Sequence, residues 1–146
     1  MYYGYLGQYG GPLANVKVRQ ALSHAINTPL IIKTLLHNRA DPWFQMIHQG
    51  MAAGYNPKMK SWYPFNLAKA KKLLKESGYG KGFKMVILSP RNVIPADAEM
   101  CEAAASMVKK IGVDAKCEIT TKRVWRGSFK KFKKGKRKGN MMFLSS

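Results

Sequence analysis

The stretch YPFNLAKAKKLLKESGYGKGFKMVIL, residues 63–88, decides how the rest of the chain is read. Asn66 has a side-chain oxygen suited to capping a helix. After it, Leu67, Ala70, Leu73 and Leu74 recur at helical spacing on one face, with Lys69, Lys71, Lys72 and Lys75 on the other. Gly78 is the stop, because glycine takes the left-handed conformation past a helix end without strain. Phe83 to Leu88 then reads as a strand. The glycine-rich turn GYGKG, residues 78–82, follows a helix and precedes a strand. That is the reverse of a nucleotide-binding loop, in which a strand feeds a helix N-terminus. It is read as a helix stop and a tight turn.

The same grammar continues downstream. Asp97 begins a helix with Cys101, Ala104, Ala105, Val108 and Ile111 inward and Gly112 as its stop. Val113, Ala115, Cys117 and Ile119 alternate with Asp114, Lys116, Glu118 and Thr120. Residues 83–119 are therefore a βαβ unit with two parallel strands. Upstream, Asn15 caps a helix through Asn27, with Val18, Ala21, Leu22, Ala25 and Ile26 as its apolar stripe. Thr28-Pro29 is read as a cap and first helical residue. That second helix runs to about His37 and buries Ile31, Ile32, Leu35 and Leu36. Tyr2 to Leu6 favours a strand. Residues 38–64 are loop-like, with Trp43, Phe44, Tyr55, Trp62 and Tyr63 spread through them. Trp125, Ser128, Phe129 and Phe132 mark a short helix, and MMFLSS, 141–146, a last buried strand. The expectation is one α/β domain over residues 1–146, with a central, mostly parallel sheet and flanking helices.

Charge bounds the partners. Lys and Arg number 26 against 7 acids, a formal net charge of +19. Such an excess attracts nucleic acid or an anionic membrane. The segment FKKFKKGKRKG, 129–139, with Arg126 before it, is the densest run. Taking away Arg126 and that run's seven cations leaves 18 cations against 7 acids, still +11. The excess is spread over the domain, so a basic nucleic-acid-associated protein on an α/β scaffold is the rival reading, not the leading one.

Catalytic and metal chemistry find little support. His24, His37 and His48 show no ligand spacing, and no serine lies in a G-x-S-x-G elbow. No catalytic residue, metal or cofactor is assigned, and the chain is not read as an enzyme. Cys101 and Cys117 form no CxxC pair. They are expected to be two buried free thiols, because helix and sheet backbones usually stand too far apart for the Cα separation of under ~7 Å a disulfide needs. No apolar run approaches the ~18 residues of a membrane span. The first residues lack the pattern of a signal peptide.

Three segments in order carry a family resemblance. GPLANVKVRQALSHAIN (11–27), AGYNPKMKSWYPFNLAKAKKLLKESGYGKGFKMVIL (53–88) and AEMCEAAASMVKKIGVDAKCEITTKRVW (98–125) resemble segments of family 5 extracellular solute-binding proteins. These are the peptide-, dipeptide- and nickel-binding subunits of ABC importers. The resemblance implies a periplasmic-binding-protein-like (class II) lobe, the second of two that close on a ligand. It implies a periplasmic or extracellular location, membrane-associated through the transporter. The implied partners are a peptide or other small solute, a first lobe that is missing here, and an ABC permease. Self-association through the hinge strands is a further expectation. Trp125, Phe129, Tyr5 and Gln8 match positions that line the ligand site in peptide-binding relatives. Where the family's helix caps are Asp, this chain has Asn27 and Asn66. The family's hinge-strand Asn falls at or beside Gly7, and its acidic ligand-contacting motif falls beyond Ser146.

Overall fold

A computed structural model of the chain describes residues 3–6, 10–42, 54–59, 63–93, 95–134 and 141–145. The elements, in order, are strand β1 (Tyr3–Leu6), helices α1 (Val16–Ala25), α2 (Thr28–Thr34) and α3 (Leu67–Glu76), strand β2 (Lys84–Pro90), helix α4 (Asp97–Lys109), strand β3 (Asp114–Thr120), helix α5 (Lys122–Lys133) and strand β4 (Met141–Ser145). A 3-10 turn, Pro12–Ala14, precedes α1.

The helices begin where side chains satisfy their free N–H groups. Asn15 accepts from the Lys17 amide at 2.9 Å and Asn66 from the Lys69 amide at 2.8 Å. Each such cap stabilises its helix by about 1 kcal/mol over alanine. Gly78 and Gly112, at φ 84° and 90°, follow the ends of α3 and α4. The second helix departs from expectation at its start. Asn27, not Thr28, caps it, accepting from the Leu30 amide at 3.1 Å. Asn is the better cap of the two, and Thr28 becomes the first helical residue. The apolar side of α2 departs too: Ile31, Ile32, Leu35 and Leu36 are half-buried and none is buried, because α2 lies outside the main core cluster. Trp43, Phe44 and Trp62 lie outside the described residues.

The strands form one sheet in the order β1-β4-β2-β3. β2 pairs in parallel with both β3 and β4, and β1 runs antiparallel to β4. The β2-α4-β3 unit is thus the parallel βαβ expected, with Lys84 opposite Asp114 and Pro90 opposite Thr120. Alternation along β2 sends Met85 and Ile87 into the main core, with Leu13, Val18 and Leu22 of the α1 region, Leu74 of α3 and Val108 of α4. Val86 and Leu88 go to the opposite face, against Phe132, Trp125 and Phe129 of α5. Full burial of side chains such as Leu74 or Ile87 contributes roughly 1.5–3 kcal/mol each.

Cys101 and Cys117 are joined by a disulfide, with Cα atoms 5.8 Å apart. This corrects the expectation of two free thiols. The assumed gap between helix and sheet is closed where the disulfide forms, because the buried residues of α4 next to Cys101 toward the main core, Ala104 and Ala105, are small. The helix therefore sits low on the sheet. Cys101 Sγ lies 3.6 Å from the Ile87 carbonyl oxygen, and Cys117 is the ladder partner of Ile87 on β3.

Candidate functional site

Three parallel strands end on one edge of the sheet, at Pro90, Thr120 and Ser145. β1 begins there, with Tyr3 opposite Ser145. Ligands of open α/β sheets sit outside the carboxyl ends of strands, so this edge is the candidate site. The Arg91 amide donates to the Thr120 carbonyl at 2.7 Å, carrying the β2–β3 pairing one step past the strands.

Helix α5 starts at this edge, one residue after β3. Thr121 caps it, its hydroxyl oxygen accepting from the Val124 amide at 3.4 Å. With the start fixed, Trp125 falls in the first turn and Phe129 one turn further on. Their rings stack, with centroids 5.4 Å apart and planes within 10°. The Trp125 indole N–H donates to the Leu88 carbonyl at 3.3 Å, which ties the ring to the end of β2. Both rings are half-buried and rest on Leu88 and Phe132. The stack therefore both packs on the sheet and leaves aromatic surface at the edge. A rigid aromatic face with its polar atom already satisfied suits the apolar part of a ligand.

Tyr5 is placed by its backbone alone, in the ladder opposite Phe143, which is itself opposite Leu88. Two strand spacings, roughly 10 Å, separate it from the Leu88 carbonyl that holds Trp125. Gln8 lies outside the described residues. The structure thus brings Trp125 and Phe129 into contact and sets Tyr5 two strands away.

Sequence reading did not single out Lys122, Arg123 or Val124 beside Trp125, and took Arg126 only as the start of the basic run. Lys122, Arg123 and Arg126 are exposed, and Val124 is 48% exposed despite being apolar. Their signal was their position, within one turn of the tryptophan and directly after a strand. Arg91 adds a fourth exposed cation on the same edge. Asp97, close by, is buried and its carboxylate accepts from the Val93 amide at 3.0 Å. Away from the edge, His24 is buried, with Nδ1 2.7 Å from the Pro64 carbonyl oxygen. Its ring meets Tyr63 edge-on at 5.5 Å. Among the described residues no group of three or more His, Cys, Asp or Glu is placed to hold a metal ion.

The fold is that of a class II periplasmic-binding-protein lobe, as its likeness to solved binding proteins shows. The chain belongs to the bacterial extracellular solute-binding proteins, family 5, whose middle region matches residues 1–145. It is 33% identical over 104 residues to the glutathione-binding protein GsiB of Shigella flexneri serotype 5b, a match covering 71% of this chain and 20% of the relative. Among solved structures it resembles the periplasmic binding protein DppA of Helicobacter pylori in complex with the peptide STSA. That likeness has a TM-score of 0.81 and 28% identity, over 99% of this chain and 26% of the other. It also resembles the dipeptide-binding protein of Pseudoalteromonas sp. SM9913 in complex with Met-Leu, with a TM-score of 0.81 and 26% identity, over 100% of this chain and 28% of the other. The chain thus spans about a fifth of the length of the curated relative and about a quarter of the solved ones.

Proposed function

We propose that this chain is the ligand-binding second lobe of a solute-binding protein serving an ABC importer, and that its ligands are peptides or similarly small solutes. The observation that carries the reading is the Trp125–Phe129 stack, fixed by the Leu88 carbonyl at the carboxyl edge. The ligands named for the three relatives, glutathione, STSA and Met-Leu, are all short peptides or peptide-like. Binding is non-catalytic: a first lobe closes over the edge, traps the solute, and the closed pair docks on a permease. Residues 1–146 act as one unit in this scheme. Trp125 and Phe129 supply apolar contact, and Tyr5 and Gln8 are proposed as further ligand contacts on the strength of the family resemblance alone. One face alone leaves most of a ligand wet, so the isolated lobe binds weakly.

A periplasmic or extracellular setting is supported by the Cys101–Cys117 disulfide, since such bonds persist in oxidising compartments. Among the described residues no helix is long and apolar enough to cross a membrane; in this reading the lobe meets the membrane through the transporter. β1 lies at a sheet edge, which is where self-association of isolated lobes takes place.

The test is a two-dimensional NMR titration of the labelled chain with a panel of di- to tetrapeptides. The Trp125 indole resonance and the amides of residues 121–129 should move first. Shifts confined to another surface, or no response to any peptide at millimolar concentration, would overturn the reading.

A further inference from the structure

The opposite edge of the sheet carries an open groove that the ligand-binding reading does not use. It lies between the end of α3, the turn before β2 and the turn before β3. Four of its lining residues are lysines, Lys71, Lys75, Lys81 and Lys110, and none is an acid. All four are exposed, and none of their ammonium groups has an ion-pair or hydrogen-bond partner among the described residues. Lys75 and Lys110 sit at helix C-termini, where a cation suits the helix dipole. Lys71 and Lys81 have no such local reason.

The lysines are held in convergence by the backbone. A Cβ on Gly82 would lie 1.8 Å from the Gly112 carbonyl oxygen, so the two turns touch directly. That contact sets the spacing between Lys81 on one turn and Lys110 on the other. Lys69 and Lys72, also exposed, extend the charged face along α3. Tyr79, half-buried, lines the same groove and packs edge-on against Phe83 at 5.7 Å.

We propose that this lysine face docks on an acidic phospholipid surface, as a second contact independent of the ligand edge. Lysines are flexible point charges, whereas one bound phosphate is better held by the planar fork of arginine. Here every groove cation is a lysine and the charge spreads beyond the groove. That arrangement fits a layer of mobile anionic headgroups, to which each nearby lysine adds attraction. A half-buried tyrosine beside it suits the interfacial zone of a bilayer. Because the two edges lie at opposite ends of the strands, docking here leaves the carboxyl edge open to solute.

The experiment is co-sedimentation of the chain with phosphatidylcholine vesicles, with and without phosphatidylglycerol, at low and physiological salt. Two variants of equal net charge are compared: K71Q/K75Q/K81Q/K110Q, and a control with exposed lysines changed elsewhere, K33Q/K58Q/K116Q/K134Q. Lys and Gln have similar helix propensity, and circular dichroism checks that both variants fold. Binding is expected only to the acidic vesicles, weakening with salt. The groove variant should lose roughly fivefold per lysine, several-hundred-fold in all, and the control only about a few-fold. Equal losses in the two variants, or binding to neutral vesicles, would overturn the proposal. So would tighter binding to random duplex DNA than to acidic vesicles, with the groove variant abolishing it, since the face would then belong to nucleic acid.

Discussion

Opening the Cys101–Cys117 bond is the sharpest test of how this lobe is held together. The two residues are 16 apart in sequence. A crosslink closing a loop of that size removes enough unfolded-chain entropy to stabilise the fold by about 3 kcal/mol at 25 °C. The C101A/C117A variant should lose that amount and little more. Its cavity is small because Cys101 and its neighbours Ala104 and Ala105 already form a tight face. In urea, a slope near 2 kcal/mol per molar puts the midpoint about 1.5 M lower. On heating, the midpoint should fall by roughly 6–12 °C for a chain of this size. The assay is equilibrium unfolding followed by circular dichroism on oxidised protein, on protein reduced with dithiothreitol, and on the double variant. The last two should coincide. Two free thiols titrated in the unfolded, unreduced protein would refute the bond. A midpoint unchanged by reduction would refute the argument that the loop entropy matters here.

Gly82→Ala should destabilise by about 1–2 kcal/mol from the left-handed backbone alone, and further from the clash with the Gly112 carbonyl. Gly127→Ala, inside α5 with nothing within 4 Å, should instead stabilise by about 0.5–1 kcal/mol; urea midpoints of the pair decide it. His24→Phe removes the donor to the Pro64 carbonyl and should cost about 1–3 kcal/mol, seen as faster amide exchange at Asn66, whose N–H donates to the His24 carbonyl. The Glu76 carboxyl is held below its ordinary value, first by the hydrogen bond from Lys17 and then by that residue's charge. A depressed carboxylate contributes stability above its unfolded pKa and loses it as pH falls through the folded one. Lys17→Met should therefore raise the Glu76 titration midpoint, read by carbon NMR, and remove a small contribution that is present near neutral pH and already lost in strong acid; an unmoved midpoint contradicts the pairing.

Much of this fold was written locally. Asn15, Asn66, Gly78 and Gly112 act at short range, so the bounds of α1, α3 and α4 could be read from neighbours in sequence. The βαβ unit followed because two apolar strands flank one amphipathic helix. What stayed hidden depends on distance in space. The disulfide required knowing how closely α4 approaches the sheet, which is set by three small side chains acting together. The place of β4 between β1 and β2 is a matter of long-range pairing that no local pattern encodes. The candidate site was half legible: Trp125 and Phe129 were marked as aromatics of a short helix, and the family resemblance alone singled them out as candidates. The carbonyl that fixes the indole, Leu88, lies 37 residues earlier in the chain. Lys122 and Arg123, beside the tryptophan, were lost against a background that is basic throughout, and Arg126 stood out only as the start of the basic run.

The antiparallel pairing of Tyr3 with Ser145 has a mechanical consequence. Tension applied between those two residues pulls adjacent strand ends apart, loading the hydrogen bonds of β1 and β4 one after another. Such a seam opens like a zipper at low force. The parallel β2–β3 and β2–β4 ladders, pulled along their strands, would resist in shear. In an optical trap the lobe should therefore peel from that seam first, and the disulfide should leave a short stretch of chain that never extends.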